Sequence, residues 1–116
     1  MTAEACFIKS GAAPSFVVRG QVVHRLQAGS APIGIIGTLD AEHHDFSLRA
    51  GDTVVMISDG IMNDDPECEW LISYLRGAGG RPPEEIVTRI CDRAHASEKR
   101  DDCSVVVLRI TVAAEE

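Results

Sequence analysis

Apolar and polar residues alternate over the first part of this chain, shift to a helical rhythm in its later third, and alternate again near the end. Residues 4–9 read as a strand and residues 11–14 as a turn. Residues 15–19 and 22–27 form a predicted hairpin across Gly20-Gln21, a short connection of the kind that tight turns use. Residues 29–37, with Pro32 and Gly34, read as an irregular loop. His44, Phe46 and Leu48 then alternate with Asp45 and Ser47, a period-two strand. After a turn at 50–52, residues 53–58 form a strand apolar enough to be buried on both faces.

Two helices follow. Asp65-Pro66 predicts an N-terminus, with Asp as cap and Pro at the first helical position. Leu71, Ile72 and Leu75 give that helix one apolar stripe, and Gly77 ends it. The second helix starts at Pro83, where Glu84 and Glu85 meet the positive end of its dipole, and buries Ile86, Val87, Ile90, Cys91 and Ala94. Residues 104–112 return as a β-branched strand, and 113–116 are expected to fray. Strands, two helices and one returning strand predict an α+β fold with antiparallel sheets.

The length of 116 residues allows one domain, residues 1–116. With one Trp, one Tyr and three Phe, aliphatic side chains must build the core. A formal net charge of −7 argues against a nucleic-acid or anionic-membrane surface. Cys6, Cys68, Cys91 and Cys103 lack any CxxC spacing, so reduced thiols are expected rather than zinc or a disulfide framework. No secretory leader is visible, and a cytoplasmic setting follows. No apolar run approaches the roughly 20 residues that span a bilayer.

The chemistry lies where two strands end. The run 54–58 stops at Asp59-Gly60, and Asp101-Asp102 stands immediately before the last strand. If those strands pair antiparallel, the end of one lies beside the start of the other. Asp59, Asp101 and Asp102 then share one sheet edge, where their mutual repulsion calls for a cation. Oxygen-only ligands suit magnesium or manganese. Each element alone reads as an ordinary turn or a solvated acidic loop, and only their combination makes a site.

The blocks Phe7-Ile8-Lys9-Ser10-Gly11-Ala12-Ala13-Pro14-Ser15-Phe16, Pro32-Ile33-Gly34-Ile35, Ala50-Gly51-Asp52 through Ser58-Asp59-Gly60, Pro83-Glu84-Glu85-Ile86 and Asp101-Asp102-Cys103-Ser104 carry a resemblance. Together they resemble the C-terminal part of the stage II sporulation protein E phosphatase domain, a branch of the PPM (protein phosphatase 2C-like) family. The resemblance implies a partial PPM-type β-sandwich and a binuclear manganese or magnesium centre. It implies that Asp59 and Asp101 are metal ligands, with Asp102 as a secondary one, and that Cys103 stands where Met is usual. The implied activity is hydrolysis of phosphoserine or phosphothreonine by metal-activated water. The implied substrate is a phosphorylated anti-sigma-factor antagonist, with membrane attachment, where relatives have it, outside this sequence.

The resemblance also implies a shortfall. The family's other acidic elements, including a further Asp-Gly pair, belong to the N-terminal half of the domain, so this chain is expected to begin partway through. Weak or absent metal binding, no activity alone, and exposed apolar sheet surface are the expectations, with self-association or pairing with the missing half. A non-catalytic interaction or dimerisation module that keeps the scaffold is the alternative.

Other residues have simpler readings. His43 and His44 are adjacent on a strand and point to opposite faces. His95 suits a helix end, and His24 has no evident catalytic partner. Asp65 is a cap and Asp64 its neighbour. Arg93, Lys99 and Arg100 read as a solvated helix end, although Lys99-Arg100 flank Asp101 and could guide a phosphorylated substrate.

Overall fold

A computed structural model describes residues 2–9, 13–26, 42–96 and 102–111; for 2–9 and 42–46 it describes the backbone. The elements are β1 (Thr2–Lys9), β2 (Ser15–Arg19), β3 (Val22–Leu26), β4 (Glu42–Arg49), β5 (Thr53–Ile57), α1 (Glu69–Arg76), α2 (Pro83–His95) and β6 (Val105–Arg109), with a 3-10 turn over Asp59–Met62 between β5 and α1. β1 and β4 form a two-stranded antiparallel sheet. The other four strands form a second antiparallel sheet in the order β3-β2-β5-β6. The α+β fold with antiparallel sheets is therefore what the periodicity predicts. The expected loop at 29–37 and the tail at 113–116 lie outside the described residues.

The hairpin works because Gly20 takes a φ of +60°, a conformation that costs other residues energy. Its register pairs Phe16 with Arg25 and Val17 with His24, and β5 joins through Phe16–Val55 and Val17–Val54. Alternation then sends Phe16, Val18 and Val55 to one face and Val17 and Val54 to the other. On the first face they pack with Leu71 and Leu75 of α1 and Ile86 and Ile90 of α2. On the second, Val17, Leu26 and Val54 pack with Leu48 of β4. Val54 and Val55 are both buried, so β5 is covered from both sides as its composition predicts.

β6 is different. Its register sets Leu108 beside Val54 and Val106 beside Met56, on the face away from the helices. There Val106 stays 47% exposed and Leu108 49% exposed. This is the uncovered apolar sheet surface expected of a partial sandwich.

The corner between β4 and β5 is closed by Asp52. Its carboxylate takes two bonds from Arg19, Nε at 3.0 Å and Nη2 at 2.7 Å, and one from the Arg49 amide at 2.8 Å. Arg19 also donates to the Ser47 carbonyl, tying β2 to β4. The Arg19 hydrogen bonds hold the buried Asp52 carboxyl below its ordinary pKa, against the opposing effect of desolvation.

β1 starts earlier than expected, at Thr2, and β6 is shorter, Val105–Arg109 rather than 104–112; among the helices one boundary differs. α1 starts at Glu69, not at Asp65-Pro66. Asp65 first makes a turn, its carbonyl accepting from the Cys68 amide at 2.9 Å. Its carboxylate then reaches forward to the amides of Trp70 and Leu71, each at 3.2 Å. Asp65 thus satisfies the helix's orphan donors, as predicted, but from outside the helix. Cys68 is the residue that enters the helix, at a φ of +57°.

Candidate metal edge where β5 meets β6

The β5–β6 ladder runs through Ile57–Val105 and continues one residue further. The Ser58 amide donates to the Ser104 carbonyl at 3.0 Å, and the Ser104 amide donates to Ser58 Oγ at 2.8 Å. The two strands are therefore fixed in register right up to the acidic residues. β5 then turns over into Asp59–Met62, whose first residue is exposed to solvent.

The next step is a close backbone approach. Gly60 is buried against the Asp102 carbonyl oxygen, and a Cβ built on it would also lie 3.2 Å from Cys103 Sγ. Only glycine leaves that space. The Asp59-Gly60 turn and the Asp102 backbone thus meet at one rim, and both aspartates are exposed there. Asp101 lies outside the described residues. Among the described residues, no three His, Cys, Asp or Glu side chains are grouped closely enough to hold a metal ion.

Asp59 and Asp102 offer solvent-exposed carboxylates, oxygen donors of the kind hard divalent cations prefer, and the Cys103 sulfur lies beside Gly60 at the same edge. Asp65 is committed to capping α1, which agrees with its simpler reading. Asp64 is exposed in the turn after the 3-10 segment. His24 is half-buried on β3 and His95 is exposed in the last turn of α2, while the side chains of His43 and His44 lie outside the described residues. Cys68, Cys91 and Cys103 form no disulfide, and burial pushes the Cys68 thiol up from its ordinary pKa. No helix among the described residues is long and apolar enough to cross a membrane.

Two features escaped the sequence. The buried approach of Gly60 is invisible without the partner strand, because an Asp-Gly pair looks the same in any turn. Arg93, read as part of a solvated helix end, is exposed and also lies over the ring of Trp70, as does Arg89. Their four-residue spacing places them on one face of α2, but nothing in the sequence says that Trp70 faces them.

A profile of the family described as stage II sporulation protein E matches residues 1–111. The stage II sporulation protein E of Bacillus subtilis (strain 168) is 37% identical over 111 residues, covering 90% of this chain and 13% of the relative. That of Priestia megaterium is 30% identical over 111 residues, covering 90% of this chain and 19% of the relative. The chain thus spans under a fifth of the length of these curated relatives.

Among solved structures, the phosphatase domain of the cell fate determinant SpoIIE from Bacillus subtilis, presoaked with Mn, superposes with a TM-score of 0.75 at 34% identity, covering 97% of this chain and 53% of that one. The protein phosphatase 2C domain of the same protein with a fragment of its regulatory domain gives a TM-score of 0.81 at 34% identity, covering 97% of this chain and 36% of that one. Sequence and fold agree, and the chain belongs to the stage II sporulation protein E family, corresponding to part of its phosphatase domain.

Proposed function

We propose that these residues form the C-terminal part of a metal-dependent protein serine/threonine phosphatase domain, with Asp59, Asp101 and Asp102 as its share of the metal ligands. The observation that carries this reading is the Ser58–Ser104 lock and the Gly60 approach to Asp102, which set two acidic turns against each other at a solvent-open edge. Manganese or magnesium bound there supplies Lewis acidity and a water acidic enough to act near neutral pH. The chain's own residues do the holding. Ser58 and Ser104 fix the strand register, and Gly60 removes the bulk that would push Asp102 away.

In the whole protein the proposed substrate is a phosphorylated anti-sigma-factor antagonist, the phosphoprotein that the family resemblance implies. Cysteines with no disulfide or zinc spacing support a cytoplasmic setting, with any membrane tether supplied by sequence other than this. The acidic balance of the chain, −7, argues against nucleic acid as a partner. By itself the chain is proposed to be inactive, because it corresponds to about half of the solved phosphatase domain and the family resemblance implies further acidic ligands in the other half. The half-exposed Val106 and Leu108 support a further element of this reading: a second copy or the missing half-domain covers that face.

The test is reconstitution. The 116-residue chain is assayed with manganese on a phosphoserine protein, first alone and then with the N-terminal half of the domain added. Background turnover alone and activity on addition are expected, with loss of that activity in Asp59→Asn. Robust turnover by the chain alone refutes the incomplete-site reading. No activity in the reconstituted domain refutes the enzyme and leaves a non-catalytic interaction module.

A further inference from the structure

The chain's one tryptophan, Trp70, stands half-buried near the start of α1, its ring stacked on Tyr74 with centroids 5.3 Å apart and planes within 5°. From α2, Arg89 and Arg93 each bring a guanidinium to 5.0 Å from the centre of that indole. Both arginines are exposed, and among the described residues neither makes an ion pair or a hydrogen bond. Other arginines are spent internally: Arg19 on Asp52, Arg81 on Glu85, Arg25 on the Glu67 carbonyl, Arg109 on Thr53. Arg89 and Arg93 are oriented by the ring but chemically unspent.

Their position matters. Arg93 and Trp70 line a narrow crevice together with Gly60, Asn63 and Asp64, so Arg93 borders the turn that Asp59 opens, and Arg89 lies one helical turn away along α2, beside Glu85 and Asp92. The crevice, about 20 Å³, has room for a single water, so a partner must engage the arginines from the surface. A guanidinium held over an aromatic ring keeps its N–H edge free to fork a carboxylate or phosphate. Four residues of helix separate the two arginines by about 6 Å along the α2 axis. Side chains on one face of an extended peptide repeat at about 6.6 Å. The backbone rise on α2 is close to that repeat, and both guanidiniums converge on the one indole.

We infer that Arg89 and Arg93, held on Trp70, form a docking ladder for an extended acidic segment of a polypeptide partner. Resting on the proposed phosphatase function, that segment flanks the phosphorylated residue. The ladder leads away from the acidic rim, so a chain gripped by it would be delivered alongside the Asp59 turn. Asp64 shares the crevice with Arg93, and Glu84, Glu85 and Asp92 share the open groove with Arg89; these carboxylates oppose weakly acidic partners.

The experiment is fluorescence anisotropy at low ionic strength on the full 116-residue chain. The probe is a fluorescein-labelled peptide with Glu at alternate positions, compared with its Gln counterpart. The Glu peptide is expected to bind and the Gln peptide not. Arg93→Gln and Arg89→Gln each weaken binding by roughly tenfold, the equivalent of one lost charge-assisted contact. Arg93→Lys restores part of the loss. Trp70→Leu, which changes no charge, weakens binding a few-fold by freeing both guanidiniums. Absent binding, equal binding of the two peptides, or arginine variants that bind like the unaltered chain overturn the ladder. The probe carries no phosphoryl group, so such a failure leaves the phosphatase reading standing. Binding through the arginines in a reconstituted domain without turnover sinks that reading instead.

Discussion

Gly60→Ala is the sharpest perturbation this structure offers, because one methyl group tests the meeting of β5 and β6 at the acidic edge. A Cβ at position 60 runs into the Asp102 carbonyl, well inside the 3.0 Å that real Cβ contacts respect, and lies 3.2 Å from Cys103 Sγ. The obstacle is backbone, so no side-chain rotation relieves it. Asp102 must retreat by roughly 1 Å, an overpacking that costs about 1–3 kcal/mol. The same movement pulls on the Ser58–Ser104 bonds at 3.0 and 2.8 Å. Losing them adds about 1 kcal/mol each. The stiffer unfolded chain returns about 0.4–1 kcal/mol. The net expectation is a loss of about 2–5 kcal/mol. Gly80→Ala is the control, since a Cβ there meets nothing within 4 Å and the backbone needs no positive φ. It should be neutral or slightly stabilising. Urea denaturation followed by the fluorescence of Trp70 measures both. Equal midpoints for the two variants would refute the close approach, and with it the argument that Asp59 and Asp102 share a rim.

Three more expectations can be checked. Asp52, whose folded pKa lies below the ordinary carboxylate value, contributes stability that is full above the unfolded pKa and is lost as pH falls through the folded one. Asp52→Asn should therefore be destabilised at neutral pH, and its deficit against the unaltered chain should shrink below about pH 4 in acid-unfolding curves. Cys68 is buried with a raised thiol pKa, so alkylation mapped by mass spectrometry should modify it only as fast as the chain opens, well after Cys91 and Cys103; early labelling of Cys68 would contradict its burial. Val106→Thr with Leu108→Thr should lower the mass found by light scattering for any self-associated form, by making the uncovered face of β6 more polar; an unchanged mass would place the association elsewhere.

Strand alternation and helix rhythm made most elements legible because each depends on neighbours two to four positions away. The hairpin at Gly20-Gln21, the doubly buried β5 and the start of α2 at Pro83 all follow from such short-range patterns. The start of α1 was misplaced because Asp65 caps from five and six residues upstream of Trp70 and Leu71, a reach that no local rule anticipates.

For the site, the amino-acid order alone determined that two acidic stretches adjoin two strongly apolar strands, and antiparallel pairing was enough to set the Asp59-Gly60 turn beside Asp102 ahead of β6. Tertiary structure decided the rest. It placed Gly60 on the Asp102 carbonyl, let β5 lie between β2 and β6, and brought Trp70 under Arg89 and Arg93. Periodicity records which face a residue takes on its own element. Which element covers that face depends on packing between segments far apart in the chain, and that exists only once the fold has closed.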